Sequence, residues 1–343
     1  MRIDLKPLTE QVVVVLGASS GIGRASALLL AARGAKVVVS ARSEEALASV
    51  VAEIIGSGGE ATLVVADVAD FERVQHVASV AVQTYGRIDT WVNCAAVSVF
   101  ADFQDTTAEE FRRLSEINYL GQVHGALVAL PQLRASGRGA IIAVSSVESV
   151  VSLPNHAAYS ASKCAVEGAM DALRRDLMAA GVPISVTSVK PATINTPLFS
   201  NSRNKMDVKP KGPPPTYQPN VVADCVVYAA EHPVRDLFAG GSARAMAITQ
   251  FLAPGLMDRY LSRIGVRQER TTEPSPIDTV GNLDQPSSDP RVEGDFSGRA
   301  RRFSMLTWAQ LHPKVKTITA SAMLLGAPLA ISRLGKRAAR ISP

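Results

Sequence analysis

The stretch Val12-Val-Val-Val-Leu16-Gly17-Ala-Ser-Ser-Gly21-Ile-Gly23 decides the fold of this 343-residue chain. It joins a continuous apolar run to a glycine-rich turn, and a helical pattern follows as far as Arg33. A short run of this kind predicts a strand buried on both faces, and the glycines let the backbone turn sharply into a helix. Such a turn also lets a pyrophosphate approach the helix N-terminus and its partial positive charge. The stretch therefore predicts a strand–turn–helix unit that binds a dinucleotide.

The same alternation of short apolar runs and helical patterns continues along the chain. Asp70 and the capping box Thr107–Glu110 mark the starts of two further helices. Further strands are predicted at residues 37–40, 61–66, 90–95, 140–146 and 184–189. Buried strands that alternate with helices indicate an α/β fold, a doubly wound parallel sheet of the Rossmann-like type.

Composition divides the chain into three parts. We expect a single catalytic domain over residues 1–264, a polar linker rich in Pro, Asp, Ser and Gly over 265–303, and a helical tail over 304–343. Within the domain, residues 197–219 interrupt the alternation with Asn, Lys, Pro and Gly. Because this irregular stretch follows a strand edge where substrate is expected, we favour a flexible substrate lid over a disordered excursion.

The tail is basic and partly apolar. Residues 296–343 contain nine Lys or Arg and no Asp or Glu, so the net charge of +5 leaves −4 for residues 1–295. Residues 317–332 are uncharged and lie between basic flanks, which favours contact with an anionic membrane surface, although a helix packed on protein is the alternative. The run is short for a bilayer span, and Pro328 weakens it further.

Other classes of function receive little support from the sequence. A mildly acidic body argues against a nucleic-acid groove, and the five scattered histidines predict no metal site. Three cysteines without ligand spacing, and a first strand that begins close to Met1, indicate a reduced cytoplasmic protein without a secretory signal. We expect a cytoplasmic protein, and contact of residues 304–343 with the membrane surface is one of the two alternatives for the tail.

Tyr159 and Lys163 form a candidate catalytic pair. They are four residues apart at the start of an amphipathic helical pattern, so they lie on one helix face. An adjacent ammonium favours the ionised form of a phenol, which makes Tyr159 a general acid or base near neutral pH. Ser146 ends an apolar run and is expected to present its hydroxyl at the same sheet edge.

The end of the second predicted strand indicates which dinucleotide binds. A carboxylate there would bind the adenosine ribose hydroxyls and repel a 2′-phosphate, but the chain has Ala41 and Arg42. Because a guanidinium offers a planar donor fork that suits phosphate, the sequence favours NADP(H) over NAD(H).

Together, Gly17-x-x-x-Gly21-x-Gly23, Asp67, Asn93-Cys-Ala-Ala96, Asn118, Ser146 and Tyr159-x-x-x-Lys163 resemble the classical short-chain dehydrogenase/reductase family over about residues 9–250. The resemblance implies a catalytic set of Asn118, Ser146, Tyr159 and Lys163. It implies a cofactor site of Gly17, Ser19, Ser20, Gly21, Ile22, Gly23, Arg42, Ser43, Asp67, Val68, Asn93, Ala95, Tyr159, Lys163, Pro191, Ile194 and Thr196.

In that family Ser146 would hold the substrate carbonyl, Tyr159 would transfer the proton, and Lys163 would lower the tyrosine pKa and bind the nicotinamide ribose. Asn118 would hold a water in the proton relay. The resemblance also implies a homodimer or homotetramer. The expected activity is NADP(H)-dependent interconversion of a carbonyl and a secondary alcohol, acting on a small-molecule substrate.

Substrate contacts are expected from Ser146, Glu148, His156, Leu198 and Phe199. A solvated carboxylate and a surface histidine are the alternatives for Glu148 and His156. Leu16 and Ala96 depart from the family pattern, and they motivate a different class of function, a non-catalytic NADP(H)-binding regulatory or scaffold protein. Epimerisation or dehydration through transient oxidation is a third alternative, which the glycine spacing disfavours.

Overall fold

The computed structural model describes residues 3–313 apart from residues 288 and 297. Its strands are β1 (Val12–Leu16), β2 (Lys36–Ala41), β3 (Glu60–Val65), β4 (Thr90–Asn93), β5 (Val99–Phe100), β6 (Gly139–Val144), β7 (Ile184–Pro191), β8 (Arg203–Asn204), β9 (Val208–Pro210), β10 (Asp236–Ala239) and β11 (Arg270–Pro274).

Its helices are α1 (Gly21–Ala32), α2 (Glu44–Gly56), α3 (Phe71–Tyr85), α4 (Ala108–Leu114), α5 (Gly121–Ala135), α6 (Ala157–Ala179), α7 (Leu198–Asn201), α8 (Asn220–Glu231), α9 (Gly241–Leu252), α10 (Pro254–Tyr260), α11 (Val266–Gln268) and α12 (Met305–Leu311). A wider π-type stretch at Ser115–Leu120 joins α4 to α5, and another at Leu261–Gly265 joins α10 to α11. Short 3₁₀ turns lie at Leu8–Glu10, Phe103–Asp105 and Val147–Ser149.

Seven strands form a central sheet in the spatial order β10-β7-β6-β4-β1-β2-β3. Each neighbouring pair runs parallel. This confirms the predicted α/β fold with its doubly wound parallel sheet. The strand order reverses beside β1, and ligands of such sheets bind in the crevice outside the carboxyl ends of the strands at that point.

The side chains of β1 alternate between two apolar layers. Val13 and Val15 pack in the layer that contains α1 and α8, whereas Val14 and Leu16 pack in the layer that contains α3, α5 and α6. All four are buried, because both faces of the sheet are covered by helices. Burying such a side chain stabilises the fold by about 1.5–3 kcal/mol, so the sheet edge that carries the site is rigidly supported.

The predicted ends of two strands differ from the structure. β4 ends at Asn93 and β6 at Val144, so Ala95 and Ser146 lie in the loops beyond the strands. Ser146 caps the turn Val147–Ser149, and its Oγ accepts a hydrogen bond of 3.1 Å from the Glu148 amide. Beyond these strand ends, Ala95 and Ser146 line the cavity instead of continuing the strands.

The described residues of 265–303, for which we expected a polar linker, pack on the body of the protein. β11 pairs antiparallel with β9, which lies in the predicted lid. Beyond it, residues 281–287 and 289–295 cross the carboxyl edge of the sheet, and we call them the covering segment. Local composition predicted an irregular linker here. It gave no sign of the packing, because the hydrogen bonds join this stretch to residues far away in the sequence.

α12 is the described part of the predicted helical tail, and it docks on β10. Thr307 accepts a hydrogen bond of 2.9 Å from the Gly240 amide and donates one of 3.1 Å to the Phe238 carbonyl. The apolar run at residues 317–332 lies outside the described residues. Over residues 3–313, with 288 and 297 excepted, we find no helix with the length and apolar character that a bilayer crossing requires.

Candidate active site

One cavity lies at the carboxyl edge of the sheet and has a volume of about 220 Å³. Most of the predicted site residues line it: Gly17, Ser19, Ser20, Gly21, Ile22, Gly23, Arg42, Ser43, Asp67, Val68, Ala95, Ser146, Glu148, His156, Tyr159, Lys163, Pro191, Ile194, Thr196, Leu198 and Phe199. The parallel strands bring these residues together although they come from eight separate stretches of the sequence. Asn93 and Asn118 are outside the lining.

The glycine turn after β1 lets a ligand approach the main chain at the start of α1. Gly17 has a φ of +79°, and a Cβ there would lie 2.5 Å from the Ala95 backbone. A Cβ on Gly23 would lie 2.0 Å from the Gly17 carbonyl oxygen, so any side chain there would close the turn. The first turn of α1 carries no acidic residue. The turn therefore fits a dinucleotide pyrophosphate, which needs close N–H groups and no repelling charge.

Leu16 replaces the hydroxyl residue that braces this turn in the family, and a main-chain group supports the turn. The Ser40 carbonyl accepts hydrogen bonds of 2.7 Å from the Gly17 amide and 3.1 Å from the Ala18 amide. The glycine turn is thus held to the end of β2 without a side-chain hydroxyl at position 16.

Asp67 and Arg42 lie at the end of the cavity where the sequence predicts that the adenosine of the cofactor binds, and we call it the adenosine end. Asp67 accepts hydrogen bonds of 3.0 Å from the Ala69 amide and 2.8 Å from the Arg113 guanidinium. Burial acts to raise the pKa of Asp67, but these hydrogen bonds outweigh it and hold the pKa below its usual range. Burial lowers the pKa of Arg42, and the nearby charge of Asp67 opposes that change. Arg42 is therefore a cation in a partly desolvated position, where an anionic group would stabilise it.

The covering segment already contacts two of the predicted cofactor-binding groups. The Arg42 guanidinium donates hydrogen bonds of 2.5 Å to the Asn282 carbonyl and 3.2 Å to the Leu283 carbonyl. The Gly21 amide donates one of 3.0 Å to the Arg291 carbonyl. Main-chain oxygens thus lie against the groups expected to hold the 2′-phosphate and the pyrophosphate.

Ser146, Tyr159 and Lys163 meet in the middle of the cavity. The Lys163 ammonium lies 5.5 Å from the centre of the Tyr159 ring and donates a hydrogen bond of 3.0 Å to the Val144 carbonyl. All three residues are buried. Ser146 arrives from the loop after β6 and the other two from the first turns of α6, so the site depends on the packing of α6 on the sheet.

The pKa values differ from the sequence expectation for this pair. Burial raises the pKa of Tyr159, and the Glu148 carboxylate raises it further, while a hydrogen bond with Ser146 lowers it. Burial lowers the pKa of Lys163 to about 8. We expected the ammonium to lower the pKa of the phenol, but in this structure burial dominates both groups. Tyr159 is accordingly a protonated phenol here, able to donate to an oxygen that develops charge.

Asn118 and Asn93 serve the framework of the site. Asn118 lies in the π-type stretch, and its side chain accepts a hydrogen bond of 2.9 Å from the Val97 amide while donating 2.9 Å to the Val97 carbonyl and 3.1 Å to Ser162. Asn93 accepts from Trp91 at 3.0 Å and donates to the Gln122 carbonyl at 3.3 Å. Because both amide donors of Asn118 are used, a water relay at this position has to use its main-chain carbonyl.

Glu148 and His156 are buried in the cavity wall rather than solvated at the surface. The Glu148 carboxylate lies 3.0 Å from Nδ1 of His156 and accepts a hydrogen bond of 2.7 Å from Ser160. The His156 ring stacks between Tyr159, with centres 4.5 Å apart, and Phe100, at 4.3 Å. Nε2 of His156 contacts the Ser98 hydroxyl. These contacts fix the ring against the phenol that is expected to transfer the proton.

The predicted lid lies over this end of the cavity. Leu198 and Phe199 of α7 line it, and the Leu198 amide donates a hydrogen bond of 3.4 Å to the Thr196 hydroxyl. Phe199 stands near Phe100, with ring centres 6.0 Å apart. The two aromatic rings form an apolar surface that suits the carbon skeleton of a substrate.

Sequence reasoning missed part of the cavity lining, including Phe100, Asn282 and Glu269. Phe100 lies on the short strand β5, Asn282 lies in the covering segment, and Glu269 follows α11. No local motif marks any of them, because each reaches the cavity through contacts distant in sequence. Within residues 3–313, leaving aside 288 and 297, no three His, Cys, Asp or Glu residues cluster in a way that could hold a metal ion.

Comparison with known proteins agrees with this geometry. A family model described as short chain dehydrogenase matches residues 11–207. The chain belongs to the short-chain dehydrogenase/reductase family. It is 38% identical over 276 residues to the uncharacterized oxidoreductase YxnA of Bacillus subtilis, covering 80% of this chain and 78% of the relative.

Solved structures of the family share the fold. A short-chain dehydrogenase from Streptomyces avermitilis matches with a TM-score of 0.62 and 29% identity, covering 75% of this chain and 97% of its own. A metagenomic short-chain oxidoreductase in complex with NADP matches with a TM-score of 0.57 and 28% identity, over 66% of this chain and 96% of its own. The chain is thus an oxidoreductase of this family with a nucleotide-binding fold.

Proposed function

We propose that this oxidoreductase interconverts a carbonyl and a secondary alcohol with NADP(H), and that Tyr159 is the general acid/base. One observation carries the proposal: Ser146, Tyr159 and Lys163 line the same cavity as the glycine turn, although they come from different elements. A binding protein has no need of a buried phenol beside a buried ammonium. This arrangement favours the enzyme over the non-catalytic alternative.

The residues divide the work of the reaction. The cofactor supplies or accepts the hydride when it is bound, so the protein has to position it and move one proton. The hydroxyls of Ser146 and Tyr159 donate to the substrate oxygen and stabilise the negative charge that develops on it during reduction. Tyr159 gives up its proton there, and Lys163 would hold the ribose of the bound cofactor.

NADP(H) is the proposed cofactor because of Arg42. Its guanidinium is the cation at the end of β2, and Ala41 supplies no carboxylate to repel a 2′-phosphate. A related solved structure is a complex with NADP, which supports this choice. Assembly as a homodimer or homotetramer, the division into domain, linker and tail, a cytoplasmic location and contact of residues 304–343 with a membrane surface stay predictions from the sequence.

The test is consumption of NADPH by the purified full chain with a panel of ketones and aldehydes. Tyr159→Phe removes only the phenolic oxygen, and we expect kcat/KM to fall by about 10²–10⁴-fold, the usual contribution of general acid–base catalysis. Tyr228→Phe is the control, because Tyr228 stacks on His232 outside the cavity. Unchanged turnover in Tyr159→Phe would refute the mechanism. If the native protein and both variants bind NADPH but show no turnover, the non-catalytic alternative is favoured.

A further inference from the structure

A buried carboxyl group at the substrate end of the cavity has no role in the proposed reaction. Glu269 is 1% exposed and belongs to the cavity lining. Its Oε2 accepts a hydrogen bond of 3.3 Å from the Asn155 side chain. Its Oε1 is buried and makes no hydrogen bond with any described residue. Leaving such an oxygen without a partner is unfavourable, so this one calls for a partner that the protein itself does not supply.

Contacts connect this carboxyl group to the catalytic phenol. Asn155 holds Glu269 and directly precedes His156, whose ring stacks on Tyr159. The Asn155 backbone has a φ of +53°, and its carbonyl accepts a hydrogen bond of 3.0 Å from the Ala101 amide. The Asn155 side chain is therefore held toward Glu269 by its main chain. Tyr159 and Glu269 line the same cavity, so a substrate bound at Tyr159 shares this cavity with the Glu269 carboxyl group.

The second carboxyl group of the wall is not available in the same way. Glu148 accepts hydrogen bonds from Ser160 and contacts His156 through both of its oxygens. Its negative charge lies close enough to raise the pKa of Glu269, after burial itself, to about 9. Glu269 is consequently a neutral carboxylic acid at working pH.

The hydrogen bond from Asn155 also indicates where the acid proton lies. Oε2 acts as an acceptor toward the Asn155 amide, so the proton belongs on Oε1. Oε1 then offers one O–H donor together with acceptor lone pairs. An alcohol hydroxyl matches this pattern because it accepts and donates through one atom, whereas an ammonium only donates and a carbonyl only accepts.

We propose that Glu269 binds a hydroxyl group of the substrate, and that the natural substrate is a hydroxylated carbonyl compound or the corresponding diol. The inference rests on the proposed function for the position of the reacting carbonyl. Phe100 and Phe199 would contact the carbon skeleton of the substrate, and the unpaired oxygen Oε1 of Glu269 would bind its hydroxyl group. A site with a buried polar group disfavours an analogue that leaves this group unpaired, and that loss is the source of the selectivity.

The experiment uses pairs of ketones of similar shape in which a methyl group replaces the hydroxyl. The pairs are hydroxyacetone with butanone, and α-hydroxyacetophenone with propiophenone, plus the homologues with one more carbon between the two groups. We expect kcat/KM with NADPH to favour the hydroxylated member by about ten- to a hundredfold in the native protein. Glu269→Gln should keep this preference, because an amide also donates and accepts, and Glu269→Met should bring the ratio close to one.

A second readout does not depend on turnover. The rise in melting temperature caused by each ketone is measured with NADPH present, and the hydroxylated member should give the larger rise in the native and Glu269→Gln proteins only. Equal selectivity in the native and Glu269→Met proteins, by turnover or by melting temperature, would overturn the assignment to Glu269. So would a preference for aminoacetone over hydroxyacetone that depends on residue 269, because it would indicate a cationic partner.

The two proposals fail in different ways. Turnover that Tyr159→Phe abolishes, with a ratio independent of residue 269, would leave the proposed function standing and remove the inference. If no ketone is reduced, the proposed function fails, and the melting temperatures alone decide whether Glu269 binds a hydroxyl group. A structural role for Glu269 would lower the stability of Glu269→Met without any change in the ratio between the ketones.

Discussion

The two ends of the cavity are built in different ways. At the adenosine end, the groups lie on the turn Gly17–Gly23 and at the ends of β2 and β3, and each belongs to a short local motif. At the substrate end, the wall combines Phe100, Glu148 and Glu269, which come from three distant parts of the chain. Contacts of long sequence separation make this second wall.

The difference separates the part of the cavity that the sheet positions from the part that loops position. Parallel strands fix the adenosine end through the sheet, whose register leaves little freedom to the groups at its edge. The substrate end depends on loops and on the chain after α10, where insertions and substitutions are tolerated more easily. Substrate selection is therefore expected to change with residues of the second wall while cofactor binding stays the same.

The largest effect should come from Lys163, where the two ends meet. Lys163→Met removes the ammonium beside Tyr159, and we expect kcat/KM to fall by about 10²–10⁴-fold, in line with loss of acid–base catalysis. The Val144 carbonyl keeps a hydrogen bond of 3.2 Å from Gln122, so the fold should tolerate the change. Activity assays and thermal unfolding on the same preparations measure both effects.

The difference in melting temperature between Lys163→Met and the native protein should depend on pH. Burial lowers the pKa of Lys163 to about 8 in the folded protein, from 10.5 for an unperturbed lysine. Below pH 8 both states are protonated and the folded protein bears the full cost of a buried ammonium; as the pH rises from 8 to 10.5, only the unfolded state holds the proton and the cost disappears. Lys163→Met should thus melt above the native protein at pH 7, with the gap narrowing toward pH 10.5.

Lys190→Met is a contrasting control for stability, since Lys190 is also buried but is paired with Glu167 at 2.9 Å and with Asp236. It should melt below the native protein, because its partners lose their countercharge. A Lys163→Met protein that retains native turnover would show that the phenol acts without the ammonium. If the difference in melting temperature between Lys163→Met and the native protein grows as the pH rises, the lowered pKa of Lys163 is contradicted.

A smaller effect, confined to the adenosine end, is expected from Arg42. Arg42→Ala should reduce kcat/KM with NADPH by about 10–100-fold and leave the value with NADH within about threefold, because NADH lacks the 2′-phosphate, whereas the hydrogen bonds to the covering segment are lost with either cofactor. Selectivity between hydroxylated and alkyl ketones should not change. Arg112→Ala is the control, since Arg112 is exposed and pairs with Glu109 and Glu116. Equal losses with both cofactors would contradict a phosphate-binding role.

The smallest effect concerns the covering segment. Gly281 has a φ of +59°, and a Cβ there would lie 2.3 Å from the Arg203 amide nitrogen, so Gly281→Val should displace the segment. Freed from their main-chain partners, the Gly21 amide and Arg42 should bind NADPH about tenfold more tightly, as measured by fluorescence titration. Gly298→Val is the control, because nothing lies within 4 Å of the added Cβ. Weaker NADPH binding in Gly281→Val would show that the segment holds the cofactor instead of competing with it.

The sequence was sufficient for the sheet and for most of the cofactor end. Alternation of apolar runs predicted β1 to β4, β6 and β7, and the glycine spacing placed the turn before α1 in the cavity lining. Strand ends were less accurate at Asn93 and Val144, because the apolar pattern continues after the chain leaves the sheet.

The sequence was insufficient for the partners of the site residues. Burial of Tyr159 reverses the pKa change that the Lys163 charge alone predicts, and burial is a property of the whole fold. Nothing around Glu269 or Asn282 in the sequence signals a cavity, since both reach it through the irregular chain after α10. The roles of the predicted catalytic and cofactor residues stay predictions that the variants above test.

The hydrogen bond from the Gly21 amide to the Arg291 carbonyl has a kinetic consequence. If the dinucleotide must wait for that bond and the two on Arg42 to open, capture becomes a first-order event once the nucleotide is abundant. The observed rate in rapid mixing would then level off at a ceiling instead of rising in proportion to concentration. The rate of coenzyme binding would then be set by the opening of the covering segment and not by the coenzyme concentration.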